Sequence, residues 1–219
     1  FLLHGESKYI DCLERTLYNG VISGMSMDGG RFFYPNPLSS DGKYAFNADN
    51  TKTRQPWFGC ACCPSNLCRF IPSVPGYLYG VRDNNIYVNL FAGSTSTIKV
   101  GGKDVELEQT TEYPWNGDIK IVVKKNAAKG ANLLVRIPGW ARGSVVPSDL
   151  YSYSDGKATG YTVTLNGKTL TADLDANGGY LPVKGIRKGD VVRIHFDMPV
   201  RTVVANRNVA DDKGKVAVE

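Results

Sequence analysis

The spacing of apolar and polar positions changes period once along the chain, near Pro75. Before it, Ile10, Leu13, Leu17 and Val21 recur at helical spacing, which predicts a helix from Ser7 to about Ile22 with Ser7 as its N-cap. Gly5 is expected to end a preceding helix, so this region reads as two helices joined by a tight turn. Met25 to Trp57 is a long segment punctuated by Asp28-Gly29-Gly30, Pro35-Asn36-Pro37 and Asp41-Gly42, too long for a passive connector in a compact domain. Pro64 stands where a helix accepts its first proline, and Asn66 to Ile71 continue that helix until Pro72 and Pro75-Gly76 stop it.

Past Pro75 the period is two. Tyr77 to Val81, Ile86 to Phe91, Thr97 to Val100, Val105 to Glu112, Ile119 to Val123, Leu133 to Ile137, Tyr161 to Leu165, Val191 to Phe196 and Arg201 to Val204 are predicted strands. Asn166-Gly167, between Thr162-Val163-Thr164-Leu165 and Lys168-Thr169-Leu170, is the strongest hairpin signal in the chain. Many short strands with no intervening helix predict a sandwich. The expected organisation is a helical part, 1–75, and a β part, 76–219, with no internal repeat or low-complexity linker.

With 219 residues and 42% hydrophobic content the chain can bury a real core. Its 26 basic and 21 acidic residues give a net charge of +5 without a long basic run, so neither nucleic-acid nor membrane binding is expected. No stretch approaches the ~20 apolar residues needed to span a bilayer. Both ends read as cut, the first inside the apolar run Phe1-Leu2-Leu3 and the last on the alternating Lys215-Val216-Ala217-Val218-Glu219. Localisation stays open between the cytoplasm and the periplasm of a bacterium.

Five cysteines change the picture more than the charge does. Cys12, Cys60, Cys62, Cys63 and Cys68 all fall in the first third, and adjacent thiols such as Cys62 and Cys63 pair only with strain. Metal binding or thiol chemistry is therefore favoured over a disulfide framework. Gly59-Cys60-Ala61-Cys62-Cys63-Pro64 opens a helix, whose free N–H groups and dipole favour a thiolate. A zinc ribbon would need a second cysteine pair some 15 to 20 residues away, and none exists. Cys12 and Cys68 are expected to be buried small hydrophobes. His195 reads as a sheet histidine and His4 as a residue complementing a helix end, each favoured over a metal-ligand role.

The helix Tyr9-Ile10-Asp11-Cys12-Leu13-Glu14-Arg15-Thr16-Leu17-Tyr18-Asn19-Gly20, the loop Arg31-Phe32-Phe33-Tyr34-Pro35-Asn36-Pro37-Leu38, the cluster Cys60 to Asn66 and Arg136-Ile137-Pro138-Gly139-Trp140-Ala141 resemble glycoside hydrolase family 127, the β-L-arabinofuranosidase family. The resemblance runs in order from Phe1 to Glu219. It implies an α+β chain in which the last helices of an (α/α)6 barrel, within 1–75, precede an antiparallel β-sandwich, 76–219. It implies a retaining mechanism with Cys62 as nucleophile, and zinc as cofactor held by Cys62 and Cys63 with Cys60 beside them as a further candidate ligand. Glu14 and Tyr34 resemble the family's sugar-pocket residues. On their own they would read as a solvated helix carboxylate and a packed loop aromatic. The other two zinc ligands and the general acid/base Glu are expected upstream of Phe1, so the chain alone should be inactive. Plant-type arabinose-containing glycans or glycopeptides are the implied partners, with room for a homodimeric parent.

A non-enzymatic alternative is a carbohydrate-binding or structural zinc module. Its sequence support is the aromatic pair Trp115, in Tyr113-Pro114-Trp115-Asn116-Gly117, and Trp140, both of which would otherwise pack at the sandwich edge.

Overall fold

The computed structural model describes residues 1–37 and 39–219, so Leu38, at the end of the loop quoted above, lies outside the described residues. They form two compact units, one of Phe1–Cys12 with Tyr77–Glu219 and one of Leu13–Gly76.

The first unit carries the strands. In chain order they are β1 (Tyr79–Arg82), β2 (Asn85–Val88), β3 (Ser94–Val100), β4 (Lys103–Thr111), β5 (Asp118–Asn126), β6 (Asn132–Arg136) and β7 (Tyr151–Tyr153). They continue as β8 (Tyr161–Leu165), β9 (Lys168–Thr169), β10 (Tyr180–Val183), β11 (Val191–Phe196), β12 (Thr202–Ala205) and β13 (Val216–Val218). A four-stranded sheet runs β1-β2-β6-β10 and a six-stranded sheet β3-β4-β5-β11-β8-β9, while β13-β12-β7 make a small third sheet. Pairing is antiparallel except between β2 and β6, which are parallel.

The two larger sheets bury their facing sides as a sandwich. Leu107, Ile121, Val123 and Val192 from one and Ile86, Val88, Leu133 and Val135 from the other are all fully buried. Each such side chain contributes about 1.5–3 kcal/mol by leaving water. Asn166 and Gly167 both take positive φ, 52° and 83°, as the two-residue hairpin between β8 and β9 requires. Asn166 also accepts from Val191 N (2.9 Å) and donates to Asp190 (2.9 Å), tying the hairpin to β11. Two strands escape the sequence pattern: β10 contains Pro182, and β7 is three residues among polar neighbours.

Arg136 is a buried cation made tolerable by its partners. Its Nη1 pairs with Asp11 (2.7 Å), its Nε donates to the Asn89 carbonyl (2.6 Å), and Asn89 Oδ1 accepts from the Tyr180 hydroxyl (2.7 Å).

Of the predicted helix ending at Gly5, the described residues hold one turn. Phe1 to Gly5 closes a single turn, with His4 N and Gly5 N donating to the Phe1 carbonyl, and Gly5 ends it at φ 72°. Helix α1 (Lys8–Arg15) then passes into a π-turn at Thr16–Val21 and a 3-10 turn at Ile22–Gly24. The second α-helix, α2 (Cys62–Phe70), begins two residues before Pro64 and so takes both adjacent cysteines into its first turn. Among the described residues no helix is long and apolar enough to cross a membrane.

Candidate functional site

The site is built within Leu13–Gly76. The segment between α1 and α2 has little regular structure, only isolated bridges joining Met25 to Phe32, Phe32 to Gln55 and Asn47 to Thr51. Side chains order it instead. Asn47, 5% exposed, accepts from Tyr34 N (2.7 Å) and donates to the Thr53 carbonyl (2.9 Å), while its own N–H reaches Thr51 (3.0 Å). Phe33 packs edge-on against Phe46 at 5.3 Å and beneath the Arg54 guanidinium at 4.3 Å. Phe58 is 4% exposed and meets the Tyr34 ring edge-on at 5.3 Å.

This scaffold fixes Tyr34 by its backbone and ring, and its hydroxyl lies 2.7 Å from Cys62 Sγ. The Tyr34 hydroxyl beside it, the Cys63 thiol and the backbone N–H groups of the helix start lower the Cys62 pKa against the opposing effect of desolvation. Tyr34 is pushed up to about 12, first by its bond to Cys62. The contact thus moves the two groups apart, Cys62 toward easier loss of its proton and Tyr34 toward keeping its own. Desolvation raises the Cys63 pKa, and the neighbouring Cys62 adds to the shift, so the two adjacent thiols are shifted in opposite directions.

Cys62 Sγ and Cys63 Sγ are 3.8 Å apart. Two thiolates on one tetrahedral ion at about 2.3 Å stand roughly 3.8 Å from each other, so the pair fits two corners of a zinc site. Among the described residues no group of three His, Cys, Asp or Glu side chains gathers at metal-binding distance, so neither Cys60 nor Glu14 completes such a group. Glu14 is on α1 and only 5% exposed, against the expectation of a solvated helix carboxylate. A pocket of about 360 Å³ opens beside Cys63, lined by Tyr34, Asn36, Pro64, Leu67 and Phe70 among others.

All five cysteines are unpaired, and Cys12 and Cys68 are exposed. That corrects the expectation of burial: each lies on the side of its helix that this chain leaves uncovered. His4 stacks on Tyr9 at 5.6 Å, and His195 bonds to Asp118 (2.7 Å). Trp140 packs on Phe196 at 5.5 Å, as expected of a sandwich-edge aromatic, whereas Trp115 is 89% exposed. Sequence reasoning missed Asn47 and Phe58, which carry no spacing signal because their roles rest on contacts made only when the loop folds.

Residues 1–76 match the β-L-arabinofuranosidase GH127 catalytic domain and residues 85–198 the GH127 middle domain. The chain is 35% identical over 226 aligned positions to the non-reducing end β-L-arabinofuranosidase of Bifidobacterium longum subsp. longum, covering 99% of this chain and 31% of that protein. A solved GH127 β-arabinofuranosidase is similar with a TM-score of 0.90 and 55% identity over all of this chain and 33% of the other. A GH127 β-L-arabinofuranosidase from Geobacillus stearothermophilus T6 gives 0.81 and 37%, over 99% of this chain and 32% of the other. The chain thus spans about a third of the length of these relatives.

Proposed function

The chain belongs to the GH127 β-L-arabinofuranosidase family, and from that premise we propose that it carries the attacking group of a retaining glycosidase that releases β-L-arabinofuranose-type sugars from plant-type glycans or glycopeptides. The observation that carries this reading is the Tyr34 hydroxyl 2.7 Å from Cys62 Sγ at the first turn of α2, where the thiol pKa is lowered. Sulfur is intrinsically nucleophilic, and the thiolate is its reactive form.

In the proposed reaction Cys62 Sγ attacks the anomeric carbon, forming a C–S bond as the glycosidic C–O bond breaks. The leaving oxygen takes a proton from a general acid that the rest of the family chain supplies. Water then displaces the sulfur from the same face as the departed group, which gives retention. Tyr34 holds the thiolate's direction before attack, and buried Glu14 binds sugar hydroxyls.

Cys62 and Cys63 would hold a zinc ion, with Cys60 near and the remaining ligands from outside these residues. When bound, the metal keeps the sulfur deprotonated at neutral pH. The helices of 1–75 are proposed to belong to an (α/α)6 barrel completed by the same outside segments.

Peptide mapping of the intact protein after reaction with an electrophilic arabinofuranose analogue tests the assignment. A label on Cys62 is expected. A label on Cys60 or Glu14 overturns it.

A further inference from the structure

The outer face of the six-stranded sheet carries an open groove of about 670 Å³. Strand register places Thr110, Lys120, Arg193 and Thr164 side by side across β4, β5, β11 and β8. The next row on that face is Asp118, His195 and Thr162. In this second row the charges are matched: His195 bonds to Asp118 at 2.7 Å and lies 3.3 Å from Asp197. At the groove's end Glu112 accepts from Asn116 (2.9 Å). The first row differs. Lys120 and Arg193 are direct cross-strand neighbours of like charge, and among the described residues neither has a carboxylate within ion-pair distance. Like charges directly opposed on a sheet are destabilising, so the pair calls for an anion from outside.

A second observation narrows the anion. Trp115 stands 89% exposed in the turn between Glu112 and Asn116, which both line the groove. That turn is held close against β11: Phe196 N donates to the Gly117 carbonyl (3.0 Å), and a Cβ at Gly117 would collide with the Phe196 carbonyl. An indole on a fixed turn offers a flat face to a sugar ring. A guanidinium grips a carboxylate with two N–H groups, and hydroxyls of Thr162 and Thr164 are placed to meet sugar hydroxyls. A nucleic acid would need a row of phosphate contacts, and two cations are too few.

We propose that this groove is a non-catalytic binding site for an acidic polysaccharide, with a uronate carboxylate between Lys120 and Arg193 and a neighbouring sugar ring on Trp115. The choice of a glycan rests on the family reading, whereas the site itself owes nothing to the role of Cys62, so binding without hydrolysis separates the two.

Affinity electrophoresis of the 219-residue chain in gels containing polygalacturonate, with neutral debranched arabinan as control, tests it. Retardation by polygalacturonate alone is expected, weakening as salt rises. The double variant Lys120→Ala, Arg193→Ala is expected to lose affinity by about tenfold or more. Its melting temperature should be equal or higher, because the repulsion is gone. Lys120→Gln alone weakens retention by a smaller factor and serves where the double variant does not fold, and Trp115→Ala weakens it independently. No retardation of the parent chain, equal retardation by arabinan, or unchanged binding by the variants overturns the proposal, the last pointing to cations elsewhere such as Lys129, Arg187 and Lys188.

Discussion

At the scale of single residues, the contact that decides most is Tyr34 with Cys62. Tyr34→Phe removes the largest cause of the lowered thiol pKa, so the midpoint for Cys62 alkylation is expected to move up in pH. At neutral pH the variant then alkylates more slowly, read by iodoacetamide labelling and peptide mapping. In the intact protein, Cys62→Ser is expected to abolish turnover even where zinc is retained, because a serine hydroxyl cannot replace the sulfur nucleophile. Cys63→Ser should lower zinc occupancy and activity together, as for a group whose work is to hold the ion. Elemental analysis beside an activity assay distinguishes the two. His195 gives an independent check. Its bond to Asp118 raises its pKa above the ordinary value of 6.5. A raised pKa means that the pairing stabilises the fold fully below 6.5 and loses that effect as pH rises through the folded value. An NMR titration should place the His195 midpoint above 6.5, and Asp118→Asn should bring it down. Both partners are well exposed, so the accompanying change in stability is small.

At the scale of elements, the Met25 to Trp57 segment separates what local pattern encodes from what it does not. Its turns were legible, because Asp-Gly and Pro-Asn-Pro have local conformational preferences. Its anchor was not: Asn47 joins Tyr34, Thr51 and Thr53, and nothing in the neighbouring residues announces which polar side chain will be buried. Asn47→Ala is expected to destabilise the Leu13–Gly76 unit by about 1–2 kcal/mol, since it removes a buried side chain and leaves the part-buried Tyr34 amide without its acceptor. Hydrogen exchange across residues 30–55 should speed up while β4 and β5 keep their protection. The hairpin shows the opposite case. Asn166-Gly167 prescribes its own turn through positive φ at both positions, and the strands on either side were legible with it.

At the scale of the whole molecule, the two units differ in what holds them. The unit of Phe1–Cys12 with Tyr77–Glu219 has two sheets of buried aliphatic side chains. Phe32, Phe58 and Pro64 are the buried apolar side chains of Leu13–Gly76 among the described residues, while Met27, Tyr44 and Trp57 stand exposed. Limited proteolysis is therefore expected to cut within 13–76 first and leave a resistant fragment from about Tyr77. A resistant 13–76 fragment would contradict this account of the core. By itself the sequence determined the change from helical to strand period, the sandwich, the hairpin and the grouping of Cys60, Cys62 and Cys63, because periodicity, turn chemistry and adjacency are local properties of a chain. Only the tertiary structure decided that β2 pairs parallel with β6, that Arg136 is buried against Asp11 and that Cys12 and Cys68 are exposed. It likewise decided that Tyr34 reaches Cys62 across 28 positions and that Lys120 faces Arg193. Each of these is a contact between distant positions, fixed by which surfaces find one another in the fold and not by the preferences of either residue.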